Sequence, residues 1–271
     1  MKNLVMDNPI LTVIKLGGSV TDIHSPINNL VSEIATLVSQ GSRILIIHGG
    51  GAEVTNLSRA FGSEPKFIDG IRITSTEEME YVDMVLCGKI NKRLVRICAG
   101  HGISAIGLSG SDGPIFTGIR TGVNSEKNHT ARVDEVDCSL LDLLFENDYL
   151  PIIAPTTFER PGLPVNINAD SVALMLSPVL QAENLIFLSD VSGVLKEGKI
   201  LANLTPKQAL NEIESGWIKD GMIPKIKSAV TAVRKGVKRV MIGAYKEAGD
   251  LYRLIDGNIG TSIERSENED V

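Results

Sequence analysis

Cysteine is scarce in this chain. Cys87, Cys98 and Cys138 are odd in number and widely spaced, so neither a disulfide framework nor a CxxC metal motif can be written from them, and they suit a reducing, cytoplasmic setting. Long apolar runs are missing too. No window approaches the roughly 18 apolar residues of a membrane span. The N-terminal MKNLVMDNPI has Asp7 and Pro9 where a signal peptide needs an unbroken apolar core, so neither export nor membrane insertion is expected. Nor is there a basic excess: 27 Lys and Arg stand against 33 Asp and Glu, a net charge of −6. That balance argues against nucleic acid or an anionic membrane as partner and favours a small molecule. The four histidines, His24, His48, His101 and His129, show no metal-ligand spacing, so no protein metal site is expected.

What the chain does have is length and ordinary globular composition. Its 271 residues are 43% hydrophobic and 22% charged, with a mean hydropathy of +0.10, enough for a full core in one large domain or two closely joined ones. Apolar runs of four to seven residues recur, each followed by glycine or small polar residues and then by a segment of helical period. Residues 10–16 read as a strand closed by Gly17 and Gly18. Ser25-Pro26 opens a helix whose apolar set Ile27, Leu30, Val31, Ile34, Leu37 and Val38 stops at Gly41. A second buried strand, 43–47, ends in His48-Gly49-Gly50-Gly51, with a helix from about Glu53.

The scheme repeats. A long helix is expected from Thr76 to Gly100, strands at 103–108, 151–154, 185–188 and 237–243, and helices after Asp170, from Thr205-Pro206 and beyond Lys225. This alternation predicts an α/β fold, a mainly parallel sheet covered on both faces. Residues 114–135 lack helical period and read as hairpins decorating an edge; the last eight residues read as a frayed tail. No repeat or linker is visible, so the boundary between an N-terminal lobe (1–180) and a C-terminal lobe (181–271) is placed inside the alternation.

In open α/β sheets, ligands bind at the carboxyl ends of strands, where glycines let backbone N–H groups approach an anion. Gly17-Gly18 and Gly49–Gly51 occupy such places, each a simple tight turn or a phosphate cradle. Lys15, at the end of an apolar strand, is costly to bury unpaired and should point into a polar site. Asn166-Ile-Asn168-Ala-Asp170 packs two amides and a carboxylate before a helix, and Asp170 alone would satisfy an N-cap. Asp220-Gly-Met-Ile-Pro-Lys225 puts a second lysine at a Pro-initiated helix start, where the dipole disfavours a cation unless an anion is bound there. Two lysines, a carboxylate to hold them charged, and two glycine loops suit a transferring phosphoryl group, which asks mostly for positioning and charge stabilisation.

Three other patterns fail. Gly193-Val-Leu-Lys-Glu-Gly198-Lys199 lacks the hydroxyl of a Walker A motif because Ile200 follows. His48-Gly-Gly-Gly51 resembles a lipase oxyanion loop, but no GxSxG elbow exists to supply the nucleophile. Gly107-Leu-Ser-Gly110-Ser-Asp-Gly113 is GxxGxxG, not the dinucleotide fingerprint.

Taken in order, VIKLGGS, IIHGGGAEV, DGIRIT, GLSGSDG, APT, NINAD, LSDVSGVL, DGMIPK and GTSI, over about residues 11–263, resemble the amino acid kinase superfamily and, within it, the acetylglutamate kinases. The resemblance implies a three-layer αβα sandwich with an amino-acid-binding N-terminal lobe and a nucleotide-binding C-terminal lobe. It implies that ATP, with Mg²⁺, phosphorylates the side-chain carboxylate of N-acetyl-L-glutamate in arginine biosynthesis. By motif, Lys15 and Lys225 would stabilise the transferring phosphoryl group and Asp170 would organise them. Gly17, Gly18, Gly50 and Gly51 would donate backbone hydrogen bonds to phosphate and substrate. Arg72 would grip the substrate α-carboxylate, and Asn166 would bind the same molecule. Ser189, Asp190, Val191, Ser192, Gly193 and Val194, with Trp217, Ile218 and Lys219, would line the nucleotide pocket.

The substrate carboxylate is ionised at pH 7 and is its own nucleophile, so no general base is needed. Arginine-inhibited members carry an extra N-terminal helix that links dimers into a ring; about ten residues precede the first strand here, so a homodimer is expected. The stretches Cys87–Val95 and Gly236–Val240 also look like kinases of carrier-protein-bound α-aminoadipate, and a kinase of another N-acyl glutamate stays open. So does a catalytically silent nucleotide or amino-acid sensor, against which Lys15, Asp170 and Lys225 count.

Overall fold

A computed structural model describes residues 9–18, 20, 26–68, 71–121, 127–218 and 221–265. The chain opens as strand β1 (Leu11–Leu16), helix α1 (Ile27–Ser39), β2 (Arg43–His48) and α2 (Gly51–Ala60), the two strand–glycine–helix units read from the sequence. A short hairpin follows, β3 (Lys66–Ile68) and β4 (Ile71–Ile73). The expected long helix is present as α3 (Thr76–Asp83), a π-helical segment (Met84–Ile90) and α4 (Asn91–Gly100). Next come β5 (Ala105–Ser109), β6 (Phe116–Arg120), β7 (Thr130–Val136), α5 (Ser139–Glu146) and β8 (Leu150–Ala154). After β9 (Thr156–Glu159) and β10 (Leu163–Ile167) lie α6 (Ala169–Val179) and β11 (Asn184–Leu188). The last part holds the short strands β12 (Leu195–Lys196), β13 (Lys199–Ile200) and β14 (Asn203–Leu204), then α7 (Pro206–Glu214), α8 (Met222–Arg234), β15 (Arg239–Gly243), α9 (Asp250–Ile255) and β16 (Thr261–Glu264).

Eight strands form one sheet in the order β14-β16-β15-β11-β1-β2-β8-β5, and the six from β15 to β5 run parallel. Only β16, with β14 beside it, reverses direction at one edge. The strand sequences explain the layers. Along β1, Val13 enters one core cluster while Ile14 and Leu16 enter the other; Leu45 and Ile47 alternate with Ile44 and Ile46 in β2, and Leu185 and Phe187 with Ile186 and Leu188 in β11. A strand buried on both faces must be apolar throughout, which is why these segments read as unbroken runs. α6 and α8 cover one face, α1 and α4 the other, giving the three-layer αβα sandwich.

Three sequence expectations are corrected. Residues 114–135 do hold an antiparallel pair, β6 and β7, but it does not decorate an edge of the main sheet: it joins β10 and β9 in a separate four-stranded sheet, β6-β7-β10-β9. Helix α8 begins at Met222, so Lys225 stands at its fourth position rather than at its start. Of the expected frayed tail, Glu264 closes β16, and residues 266–271 lie outside the described residues.

The chain runs from β1 to β2 on one side and returns through β11 on the other. The carboxyl ends of these three central strands therefore flank one crevice, the usual ligand position in such sheets.

Candidate active site

Lys15 is the one polar side chain of the last turn of β1 that leaves the core. Its Nζ lies 2.7 Å from Asp170 Oδ1, with the two side chains 12% and 24% exposed. Asp170 is free for this because Asn168, not Asp170, caps α6: the Asn168 side chain accepts the Asp170 backbone N–H at 2.7 Å. That decides between the two readings of Asp170 in favour of the lysine partner, and it leaves a carboxylate at a helix N-terminus, where negative charge is favoured.

Two of the glycines, Gly17 and Gly50, stand at close approaches, whereas a Cβ at Gly18 or Gly51 would meet nothing within 4 Å. Gly17 N–H donates to Leu188 O at 2.8 Å, and a Cβ at Gly17 would stand 2.8 Å from that same oxygen. At Gly50, a Cβ would fall 2.2 Å from Ile90 Cδ1 and 2.7 Å from Leu86 Cδ2. Both side chains come from the π-helical segment, so its widened turn presses on the glycine loop. π-Segments of this kind recur at functional sites.

Lys15, Gly18, Gly50, Gly51, Arg72, Asn166 and Asp170 line one cavity of about 230 Å³, walled on its apolar side by Val54, Phe67, Ile71, Val82 and Leu86. Arg72 is fixed inside it. Its Nη1 donates to Glu78 Oε1 at 3.3 Å, its Nη2 to Gly51 O at 3.0 Å and to Thr55 Oγ1 at 2.5 Å, and its Cζ lies 4.8 Å from the Phe67 ring centroid. Burial pulls the Arg72 pKa below its ordinary value, and Glu78 opposes the shift. Asn166 donates to Thr74 Oγ1 at 3.0 Å. Glu78 and Thr55 were not singled out from the sequence, although Ser75-Thr-Glu-Glu78 spells the capping box that the structure contains. Glu78 serves that cap and Arg72 at once.

The other expected residues stand outside this cavity. Lys225 makes no ion pair among the described residues, yet it lies within electrostatic reach of Asp170 and Lys15 at the cavity and of Asp190 in the loop after β11. In that loop, Ser189 N–H donates to Gly243 O at 2.9 Å and its hydroxyl accepts from Val191 N–H at 3.4 Å. Ser192 Oγ accepts from Lys246 Nζ at 3.0 Å, and Val194 N–H donates to Thr261 Oγ1 at 2.8 Å. Gly193 has φ +145° and would carry a Cβ 2.9 Å from Thr261 Oγ1, so only glycine suits it. Trp217 is exposed and Ile218 buried; Lys219 lies outside the described residues.

Beneath the glycine loop, His48 is fully buried. Its Nδ1 meets Gly49 O at 2.9 Å, and a carbonyl can only accept, so Nδ1 carries the proton and Nε2 accepts from Asn91 Nδ2 at 3.3 Å. Burial, the dominant cause, lowers the His48 pKa to about 4. The sign follows: the unfolded chain takes up a proton near the ordinary value of 6.5 while the folded chain does not, so stability is lost as pH falls from 6.5 to about 4. Urea midpoints over that window should decline by an amount worth on the order of 3 kcal/mol beyond the carboxylate background, and His48→Gln should remove the excess. An unchanged slope in that variant would contradict the burial argument.

The sequence profile of the amino acid kinase family matches residues 11–244. The chain belongs to the amino acid kinase family. It is similar to the acetylglutamate kinase of Kosmotoga olearia, 39% identical over 257 residues that cover 94% of this chain and 91% of the relative. The acetylglutamate kinase of Methanothrix thermoacetophila is 34% identical over 93% and 92% of the two chains. Among solved structures, that of smu.665 from Streptococcus mutans matches with a TM-score of 0.80 and 28% identity, covering 94% of this chain and 99% of that one.

Proposed function

We infer that this amino acid kinase transfers the γ-phosphoryl group of ATP to the side-chain carboxylate of N-acetyl-L-glutamate, forming N-acetyl-L-glutamyl 5-phosphate and ADP in arginine biosynthesis. The observation that carries the reading is the Lys15–Asp170 pair at 2.7 Å, with Lys225 within its electrostatic reach, at the mouth of a cavity that holds a buried arginine. Relatives that match over more than nine-tenths of the chain carry the same name, acetylglutamate kinase, which disfavours a carrier-bound substrate or a silent sensor.

In this reading Arg72 and Asn166 hold the α-carboxylate end of the substrate, and the Gly50 and Gly51 N–H groups steady it. The side-chain carboxylate, ionised at pH 7, attacks the γ-phosphorus; the bond to the β-phosphate oxygen breaks and its electron pair leaves with ADP. No proton moves, so no base is required. Lys15 and Lys225 face the charge that gathers on the transferring oxygens, and Asp170 keeps both cationic and in place. Gly18, the 189–194 loop and the 217–219 segment would take the nucleotide, whereas the Gly17 N–H, already given to Leu188 O, serves the turn itself rather than the phosphates the resemblance implied for it. Among the described residues no cluster of three His, Cys, Asp or Glu could cage a metal, so Mg²⁺ would arrive held by the phosphates, whose charge it shares with the lysines. We place the enzyme in the cytoplasm as a homodimer, with residues 1–180 serving the amino acid and 181–271 the nucleotide.

The test is trapping of the acyl phosphate by hydroxylamine with Mg-ATP, comparing N-acetyl-L-glutamate, N-succinyl-L-glutamate, L-glutamate and N-acetyl-α-aminoadipate. Turnover of N-acetyl-L-glutamate well above the others is expected. Equal rates, or none, would overturn the assignment.

A further inference from the structure

Beside the nucleotide loop one buried acceptor is left without a donor. Glu212 lies in the last turn of α7; its Oε1 accepts from Lys196 Nζ at 2.7 Å, while its Oε2 is buried and has no hydrogen-bond partner among the described residues. The Glu212 backbone carbonyl accepts the N–H groups of Trp217 and Ile218, each at 3.1 Å, so this residue stands at the base of the turn that presents the Trp217 indole. Lys196 ties the carboxylate to that ring as well, with its ammonium 5.7 Å from the ring centroid. The indole itself, the chain's only tryptophan, is 43% exposed.

A buried carboxylate oxygen with no donor bears its full desolvation penalty, which a ligand N–H would relieve. A half-exposed indole is a stacking platform for any base, since every base has a π-face. Stacking alone does not discriminate among purines. A fixed acceptor beside the platform does: a 6-amino purine presents an N–H donor to it, whereas a 6-oxo purine presents another lone pair.

We propose that Glu212 sets nucleotide specificity, its Oε2 accepting the 6-amino N–H of an adenine stacked at Trp217 and thereby selecting ATP over 6-oxopurine triphosphates. The proposal rests on the reading of the Ser189–Val194 loop and the Trp217 turn as the nucleotide side of the site.

Trp217 fluorescence makes it testable without turnover. Quenching titrations with ATP, 2′-deoxy-ATP and inosine triphosphate should give the native enzyme about 10- to 100-fold tighter binding of ATP than of the inosine nucleotide, with 2′-deoxy-ATP close to ATP. Glu212→Met should bring the ATP and inosine affinities within about threefold, chiefly by weakening ATP. Lys196→Met, which breaks the ion pair but keeps the acceptor, should retain the preference. Four results would overturn the proposal: no preference in the native enzyme, preference kept in Glu212→Met, preference lost equally in Lys196→Met, or discrimination against 2′-deoxy-ATP instead, which would assign the oxygen to the ribose. Should Glu212→Met fail to fold, the three nucleotides on the native enzyme decide. Base preference without turnover of N-acetyl-L-glutamate would defeat the proposed reaction and leave this inference standing; turnover without base preference does the reverse.

Discussion

Replacing Lys225 with alanine lowers kcat for acyl phosphate formation by about 10²–10³-fold, or about 3–4 kcal/mol of transition-state stabilisation, with KM for both substrates little changed. The expectation comes from where the lysine stands. In the first turns of α8 the helix dipole disfavours a cation. Burial pulls the Lys225 pKa below the ordinary value of 10.5; Asp170 opposes that shift, Lys15 adds to it, and Asp190 opposes it. A charge held against both burial and dipole has its best partner in the anion that arrives during reaction. A pH profile separates this from mere packing. Lys225 must be charged, so kcat/KM should fall on the alkaline side with an apparent pKa below 10.5 in the free enzyme. Lys225→Arg, whose guanidinium does not titrate in that range, should recover part of the rate and move the limb upward. Alanine and arginine variants with native kcat would show that Lys225 does not face the phosphoryl group.

The central sheet was legible because burial on both faces leaves no choice of residue. Ile14, Leu45, Ile46, Ile152 and Ile186 lie at 0–1% exposure in parallel strands, and such strands read as unbroken apolar runs flanked by glycine. The second sheet was not. β9 and β10 lie in 156–167, where Thr, Pro, Glu and Asn interrupt the pattern, and the sheet closes through β10 on β7, which pairs Asn166 with Thr130 and Ile167 with Ala131, far apart in sequence. The π-helical segment was equally hidden, since an added residue in one turn barely disturbs an apolar period.

Within the site, Lys15 and the glycine loops stood out because each broke a local rule: a lysine in an apolar strand, glycines where a strand meets a helix. Asp170 was legible as the carboxylate that holds the two lysines, with an N-cap as its plain alternative, because Asn168 and Asp170 satisfy a cap equally well on paper. Only the structure shows Asn168 taking the role and Asp170 turning to Lys15. Glu78 was visible as half of a capping box, yet its second duty toward Arg72, six residues earlier in β4, depends on how the chain turns between β4 and α3, and no spacing encodes that.

That double duty governs the second large effect. Arg72→Lys should raise KM for N-acetyl-L-glutamate about 10²-fold while kcat stays within about threefold, because the loss falls on ground-state and transition-state binding alike. Glu78, Gly51 O and Thr55 Oγ1 take three of the five guanidinium N–H groups and lock the plane against Phe67. The remaining N–H groups, on Nε and Nη1, have no protein acceptor among the described residues; they lie on different edges of the guanidinium, and each can donate to an oxygen of a bound substrate. A lysine keeps the charge that Glu78 needs, at 4% exposure, but has no second prong. Arg72→Ala is a different experiment: it strands a buried carboxylate and should cost about 3–5 kcal/mol of folding stability, part of which Arg72→Ala with Glu78→Gln should return. If Arg72→Lys binds the substrate as the native enzyme does, the guanidinium is only a clamp between β4, α2 and α3, and the substrate α-carboxylate must be held elsewhere in the cavity.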